Sequence, residues 1–199
     1  MTPAPQPPDW KDLPARDRLL QTAHALFYRD GIRATGIDRV IAESGVTKVT
    51  FYRHFPSKND LVCAYLEYRH THWIAWFAAA LSRHGGASNE PCQRLAALTA
   101  TLAEWLGRDD YRGCAFINSV GELGDTVPEV VEIARRHKRD VTDLLATLLP
   151  PTPERQQDAQ ALTLVVDGAI VRMQMGDSLE DVLSSVSRLL GGMAAFKSA

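Results

Sequence analysis

The sequence predicts an all-α fold of about nine helices, and three observations lead there. Apolar residues recur at helical spacing along the chain. No segment shows sustained apolar–polar alternation with a period of two, and the two Asp-Gly dipeptides, Asp30-Gly31 and Asp167-Gly168, are not flanked by the alternating runs of a hairpin. Glycine and proline clusters divide the chain into segments of helical length.

The first helix is expected from about Ala15 to Arg29, with Leu19, Leu20, Ala23, Leu26 and Phe27 as its apolar stripe and Gly31 as its stop. Two short helices follow, near Ile37–Ser44 and Lys48–His54. Gly45 stands between them, where a tight turn needs positive φ, and Thr47 is placed to cap the second. Pro56-Ser57 breaks the chain, and Ser57 can cap a long helix reaching about Arg83 before Gly85-Gly86. Further helices are expected over Pro91–Leu106, Cys114–Leu123, Pro128–Leu149, Glu154–Met175 and Leu179–Phe196. Residues 1–12, with four prolines in the first eight positions and no apolar core, read as a flexible arm rather than a secretory signal.

Composition is that of an ordinary globular chain: 45% hydrophobic and 23% charged residues in 199. No apolar run approaches the length of a membrane span, so no membrane partner is expected. Cys63, Cys92 and Cys114 are odd in number and widely spaced, which points to reduced thiols in a cytoplasmic protein. The net charge of −2 hides an asymmetry. Residues 14–60 hold eight Lys/Arg against five Asp/Glu, a surplus of three positive charges, whereas residues 61–199 hold thirteen against seventeen, a surplus of four negative ones. A basic head on an acidic body suits a protein that sets one end on phosphates.

Chemistry is concentrated in Gly31–Leu61. Ile37, Val40, Ile41, Val46, Phe51 and Phe55 can pack inward. The second short helix then exposes Thr47, Lys48, Thr50, Tyr52, Arg53 and His54, the mixture of hydroxyl, cation and aromatic that phosphates and base edges accept. A short polar helix alone could be the solvated face of a bundle. The glycine turn, the polar second helix and the cation Lys58 at the next helix start together indicate a helix-turn-helix over residues 36–55.

The run Ala25-Leu26-Phe27, Gly31, Thr35, Ile37, Val40, Ala42, Gly45-Val46-Thr47-Lys48, Tyr52-Arg53-His54-Phe55, Ser57-Lys58 and Leu61 resembles the tetracycline-repressor (TetR) family, without a gap. The resemblance implies a three-helix DNA-binding head over residues 13–73 and a regulatory, dimerising body over 74–199. It implies phosphate contacts from Thr35, the backbone near Gly36 and Lys58, with Lys48, Thr50, Tyr52 and His54 on the recognition helix. Gly36 departs from the family by lacking a capping side chain, and Val49 stands where a small residue is common. Tyr52 is expected to pack its ring in part and turn its hydroxyl to phosphate.

The last two helices are amphipathic. Leu162, Val166 and Ile170 lie on one stripe and Val182, Val186 and Leu190 on the other. These stripes can pack in the monomer core, while the resemblance implies that the two helices pair with their copies in a homodimer. DNA geometry also favours a dimer, because two recognition helices must reach successive major grooves ~34–36 Å apart. The middle helices are expected to enclose a small-molecule effector. Candidate walls are Trp73, Phe77, Trp105 and Phe116, with Tyr65 and Trp76, although plain core is the preferred reading of each. Asn118, Glu122, His137 and Asp167 are the polar candidates, and Asn118 and Glu122 share a helix face. Asn118, Glu122 and His137 could hold a divalent ion or form a buried hydrogen-bond network; the network is preferred and no metal is expected. The segment from Arg112 to Leu123 resembles one found in a branch of the same family.

An enzyme is not expected. No phosphate loop, nucleophile elbow or paired metal motif occurs, and the six histidines do not give the two Glu-x-x-His motifs of a di-iron bundle, only one such spacing occurring, at Glu67–His70. The expected partners are an operator in double-stranded DNA, a second copy of the chain and an unidentified effector, with no cofactor. A repressor is the first reading; an activator or an architectural DNA-binding protein with the same head is the alternative.

Overall fold

The structure is a computed structural model that describes residues 13–196. The expected arm, residues 1–12, lies outside the described residues. The described elements are all helices: α1 (Ala15–Asp30), α2 (Ile37–Ser44), α3 (Lys48–His54), α4 (Lys58–Arg83), α5 (Pro91–Leu106), α6 (Ala115–Leu123), α7 (Pro128–Ala146), α8 (Arg155–Gln174) and α9 (Leu179–Phe196).

Local chemistry explains most boundaries. Ser57 accepts from the Asp60 N–H at 3.2 Å and donates to the Asp60 carboxylate at 2.7 Å, a reciprocal cap at the start of α4. Ser178 and Asp181 repeat the device at α9, at 3.1 and 2.7 Å. α7 ends three residues before the expected Leu149. The amides of Thr147, Leu148 and Leu149 bond to carbonyls three residues back, at 3.0–3.2 Å, so the last turn tightens. The cause is Pro150, which disfavours helical geometry at the residue before it.

The chain forms two compact units. The first holds residues 13–69 together with Asn118–Ile133, and the second holds His70–Ile117 with residues 134–196. α4, α6 and α7 each contribute to both. In the first unit α1 packs on α2 and α3 over Leu19, Ala23, Leu26, Val40, Phe51 and Phe55, all buried. Phe27 meets Tyr65 of α4 edge to face at 5.5 Å. In the second unit α5 packs on α8 and α9, which pack on each other.

That packing corrects one expectation. Leu162, Val166, Ile170, Val182, Val186 and Leu190, proposed for a dimer interface, are all buried within the single chain. A side chain enclosed by its own fold has no surface left to offer a partner. Among the described residues, the large apolar side chains exposed on α8, its C-cap and α9 are Leu164, Val171, Met175 and Leu189.

Candidate DNA-binding site and aromatic cluster

The helix-turn-helix is built by two local devices. Gly45 adopts the left-handed conformation (φ 65°, ψ 31°), and its N–H closes α2 onto Ala42 and Ile41. Thr47 is the N-cap of α3, its hydroxyl accepting the Thr50 N–H at 3.2 Å. Phe51 and Phe55 then anchor the inner face of α3 in the core. The outer face presents Thr47, Lys48, Tyr52, Arg53 and His54 to solvent, with Thr50 half-buried. Tyr52 sets its ring edge-on to Phe51 at 5.1 Å, so it is partly packed and partly exposed. Lys48 lies 3.4 Å from Asp38, and since both are exposed the pair holds the ammonium weakly. Val49, the residue that stands where the family commonly has a small one, is 71% exposed and is a further outward residue on α3. Its place on the recognition helix, one residue before Thr50, was the signal available in the sequence.

Two expected phosphate contacts are engaged within the fold. Thr35 is fully buried and donates its hydroxyl to the Gly31 carbonyl at 2.8 Å, so its side chain does not face solvent. Lys58 donates from Nζ to the Ile32 carbonyl at 2.6 Å, and burial pulls its pKa below the usual lysine value, while Glu122 opposes the shift. Gly36 is exposed and forms the N-cap of α2 without a side chain.

Glu122 is the second correction. Expected in an effector site, it belongs to the first unit, where its two carboxylate oxygens accept the backbone N–H groups of Ile32 and Arg33 at 3.1 and 2.6 Å. Both carboxylate oxygens are therefore already engaged by backbone donors of the head. Among the described residues no three His, Cys, Asp or Glu side chains converge to hold a metal ion. Asp167 pairs with Lys138. Asn118 is half-buried in the first unit.

The other candidates do meet. In the second unit Trp73 stacks on Phe77 at 4.6 Å and stands edge-on to Trp105 at 5.1 Å and to His137 at 5.2 Å. Phe116 lies flat on the His137 ring, 3.6 Å between centroids. His137 is only 2% exposed, and its Nδ1 lies 3.2 Å from Nδ1 of His70. One ring nitrogen of that pair donates and the other accepts. Nε2 of His70 lies 3.3 Å from the Asp140 carboxylate. The Trp73 indole N–H is buried without an acceptor among the described residues. Four expected walls and one polar candidate thus form a single ring cluster. No described helix is long and apolar enough to cross a membrane.

A capped, polar, outward-facing helix seated behind a glycine turn on a three-helix head defines a helix-turn-helix DNA-binding protein. Residues 19–65 match the family model described as bacterial regulatory proteins, tetR family. SCO4454, a TetR-family transcriptional regulator from Streptomyces coelicolor, is 31% identical with a TM-score of 0.75, the alignment covering 89% of this chain and 93% of that one. A TetR transcriptional regulator from Chloroflexus aurantiacus, 24% identical over 89% of this chain and 94% of its own, shares the fold with a TM-score of 0.73. YerO, an uncharacterized HTH-type transcriptional regulator of Bacillus subtilis, is 38% identical over 53 residues, 27% of this chain and 18% of that protein. An HTH-type transcriptional regulator of Staphylococcus aureus is 39% identical over 51 residues, 26% of this chain and 27% of its own. The chain spans well under two thirds of the length of these last two relatives, and both matches are confined to about a quarter of this chain. The chain belongs to the TetR family: it is a transcriptional regulator with a DNA-binding helix-turn-helix, and this is not a family of enzymes.

Proposed function

We propose that this regulator is a repressor that binds a palindromic operator as a homodimer in the cytoplasm and leaves it when a small aromatic effector enters the Trp73–His137 cluster. The outer face of α3 carries the DNA half of the reading: Lys48 and Arg53 supply cations, while Val49, Thr50, Tyr52 and His54 supply groups for base edges, sugar and phosphate. Homodimerisation is supported by the outward apolar stripe of Leu164 and Val171 on α8 and Met175 at its C-cap, with Leu189 of α9. Gly168 lies between the first two, where an added side chain would meet only open space, so a partner helix can approach closely. The effector half is supported by the ring cluster, which offers flat apolar faces, a buried indole donor and an imidazole. Three free thiols are consistent with a reducing compartment.

Release would be a population shift. The effector favours a conformation of the dimer whose recognition helices no longer match successive grooves, and bound DNA weakens effector binding by the same factor. A coupling of ~1–3 kcal/mol gives roughly 5–150-fold derepression.

Selection of bound sequences from random duplex DNA tests the reading, with a palindrome as the expected product. On the selected site Lys48→Ala should lower the salt slope by about one unit, and Val49→Ala should change sequence preference. A reporter placed behind the site separates repression from activation. Failure to enrich any sequence would overturn the reading.

A further inference from the structure

The head contains a side chain that comes from far along the chain. Glu122, the penultimate residue of α6, accepts the Ile32 N–H on Oε1 at 3.1 Å and the Arg33 N–H on Oε2 at 2.6 Å. Its own carbonyl accepts Nε of Arg33 at 2.6 Å. A carboxylate in the last turn of a helix opposes the helix dipole, so helical preference does not account for it there. The segment it grips joins α1 to α2. That connection opens at Gly31, with φ of 90°, and ends at Gly36, an N-cap with no side chain of its own. Lys58 holds the Ile32 carbonyl at 2.6 Å and Thr35 holds that of Gly31 at 2.8 Å. The start of α2 is therefore set by side chains reaching the connection from α4 and α6 rather than by a cap. α2 packs against the recognition helix α3.

We propose that Glu122 is a positioning residue for operator recognition: by gripping the Ile32 and Arg33 amides it sets the entry of α2 and, through α2, the seat of α3. The inference rests on the DNA-binding reading above. It makes a prediction of opposite sign to simple electrostatics. Removing a carboxylate from the DNA-binding unit removes a negative charge that repels phosphates, so a residue acting only through its field would bind DNA more tightly when neutralised. A positioning residue binds it more weakly. Because Glu122 touches no phosphate, the salt slope stays that of the wild type.

The test uses the full chain and the operator that the wild type selects from random DNA. Glu122→Gln keeps one acceptor and turns an amide N–H toward the second backbone donor; Glu122→Ala leaves both donors bare. Affinity for the selected and for a random duplex is measured at several salt concentrations, at a temperature where circular dichroism shows the variant folded. Amide hydrogen exchange is followed at Ile32 and Arg33. The expected result for Glu122→Gln is about tenfold weaker binding to the selected site, a reduced ratio of selected to random binding, an unchanged salt slope and faster exchange at the two amides. Should Glu122→Ala prove insoluble, Glu122→Gln carries the test. Binding by Glu122→Gln equal to or tighter than that of the wild type, with undiminished selectivity, would overturn the inference alone. A wild type that selects no sequence would overturn the operator reading and this inference with it.

Discussion

Val166 and Leu164 stand two residues apart on α8 and face opposite ways, at 1% and 73% exposure. An aspartate should therefore have unlike effects at the two sites. Val166→Asp gives up about 1.5–3 kcal/mol of apolar burial and places a carboxylate where its effective desolvation penalty is several kcal/mol. The sum, roughly 5 kcal/mol or more, is comparable to the whole stability of a domain at about 5–15 kcal/mol. This variant should be unfolded or insoluble. Leu164→Asp leaves the isolated chain within about 0.5 kcal/mol of the wild type, as surface changes do. In a two-fold dimer joined by the outward stripe the change occurs twice. Losing ~1–2 kcal/mol of leucine burial per copy and desolvating a carboxylate on each side weakens association by ~4 kcal/mol or more, about a thousandfold. Sedimentation at micromolar concentration, with far-ultraviolet circular dichroism on the same samples, reads both quantities. The expected pair is a folded Leu164→Asp monomer and a misfolded Val166→Asp. A folded Leu164→Asp dimer would remove the outward stripe from the interface, and a well-folded Val166→Asp would refute the inward placement of Val166.

Two further outcomes follow from the head. Thr47→Ala removes the one side-chain cap of a seven-residue helix and should cost about 1 kcal/mol, lowering Tm by ~2–4 °C, whereas Thr47→Ser keeps the acceptor and should match the wild type; equal melting of the two variants would show that the cap contributes nothing. Asp30 hydrogen-bonds Arg29 and pairs with Arg39, which together hold its carboxyl down to about 2. A carboxylate with a depressed folded pKa contributes stability that is complete above the unfolded value near 4 and is lost as pH falls toward 2. The stability difference between wild type and Asp30→Asn should therefore narrow across that window, and a difference that stays constant from pH 5 to 2.5 in urea titrations would contradict it.

Much of this protein is legible one segment at a time. Gly45 and Thr47 mark the turn and cap of the helix-turn-helix because positive φ and a hydroxyl N-cap are requirements of the backbone within three or four residues. Ser57, Ser178 and the flanking prolines act over the same range, and the nine described helices follow the sequence boundaries within a few residues. The inward residues of α3 are equally local, since Phe51 and Phe55 repeat at four while the residues around them are mostly polar.

What a side chain faces across the fold was not legible. The α8 segment is apolar on more than one side: periodicity picks out Leu162, Val166 and Ile170, while Leu164, Val171 and Met175 lie off that stripe, and packing against α5 and α9 decides which set is enclosed. Glu122 and Asp167 read as pocket residues because a lone polar side chain on an apolar helix carries no sign of its partner. Their partners, the Ile32 and Arg33 amides and the Lys138 ammonium, lie 90, 89 and 29 residues away. Lys58 and Thr35 read as phosphate ligands, and the structure turns both onto carbonyls of the α1–α2 connection. The sequence by itself determined the helices, the turn and the chemistry on the recognition face, because those depend on torsions, caps and spacing within one or two turns. Only the tertiary structure decided which polar groups are already satisfied and which apolar face is left over, because hydrogen bonding and burial are pairwise properties of groups that chain connectivity does not bring together.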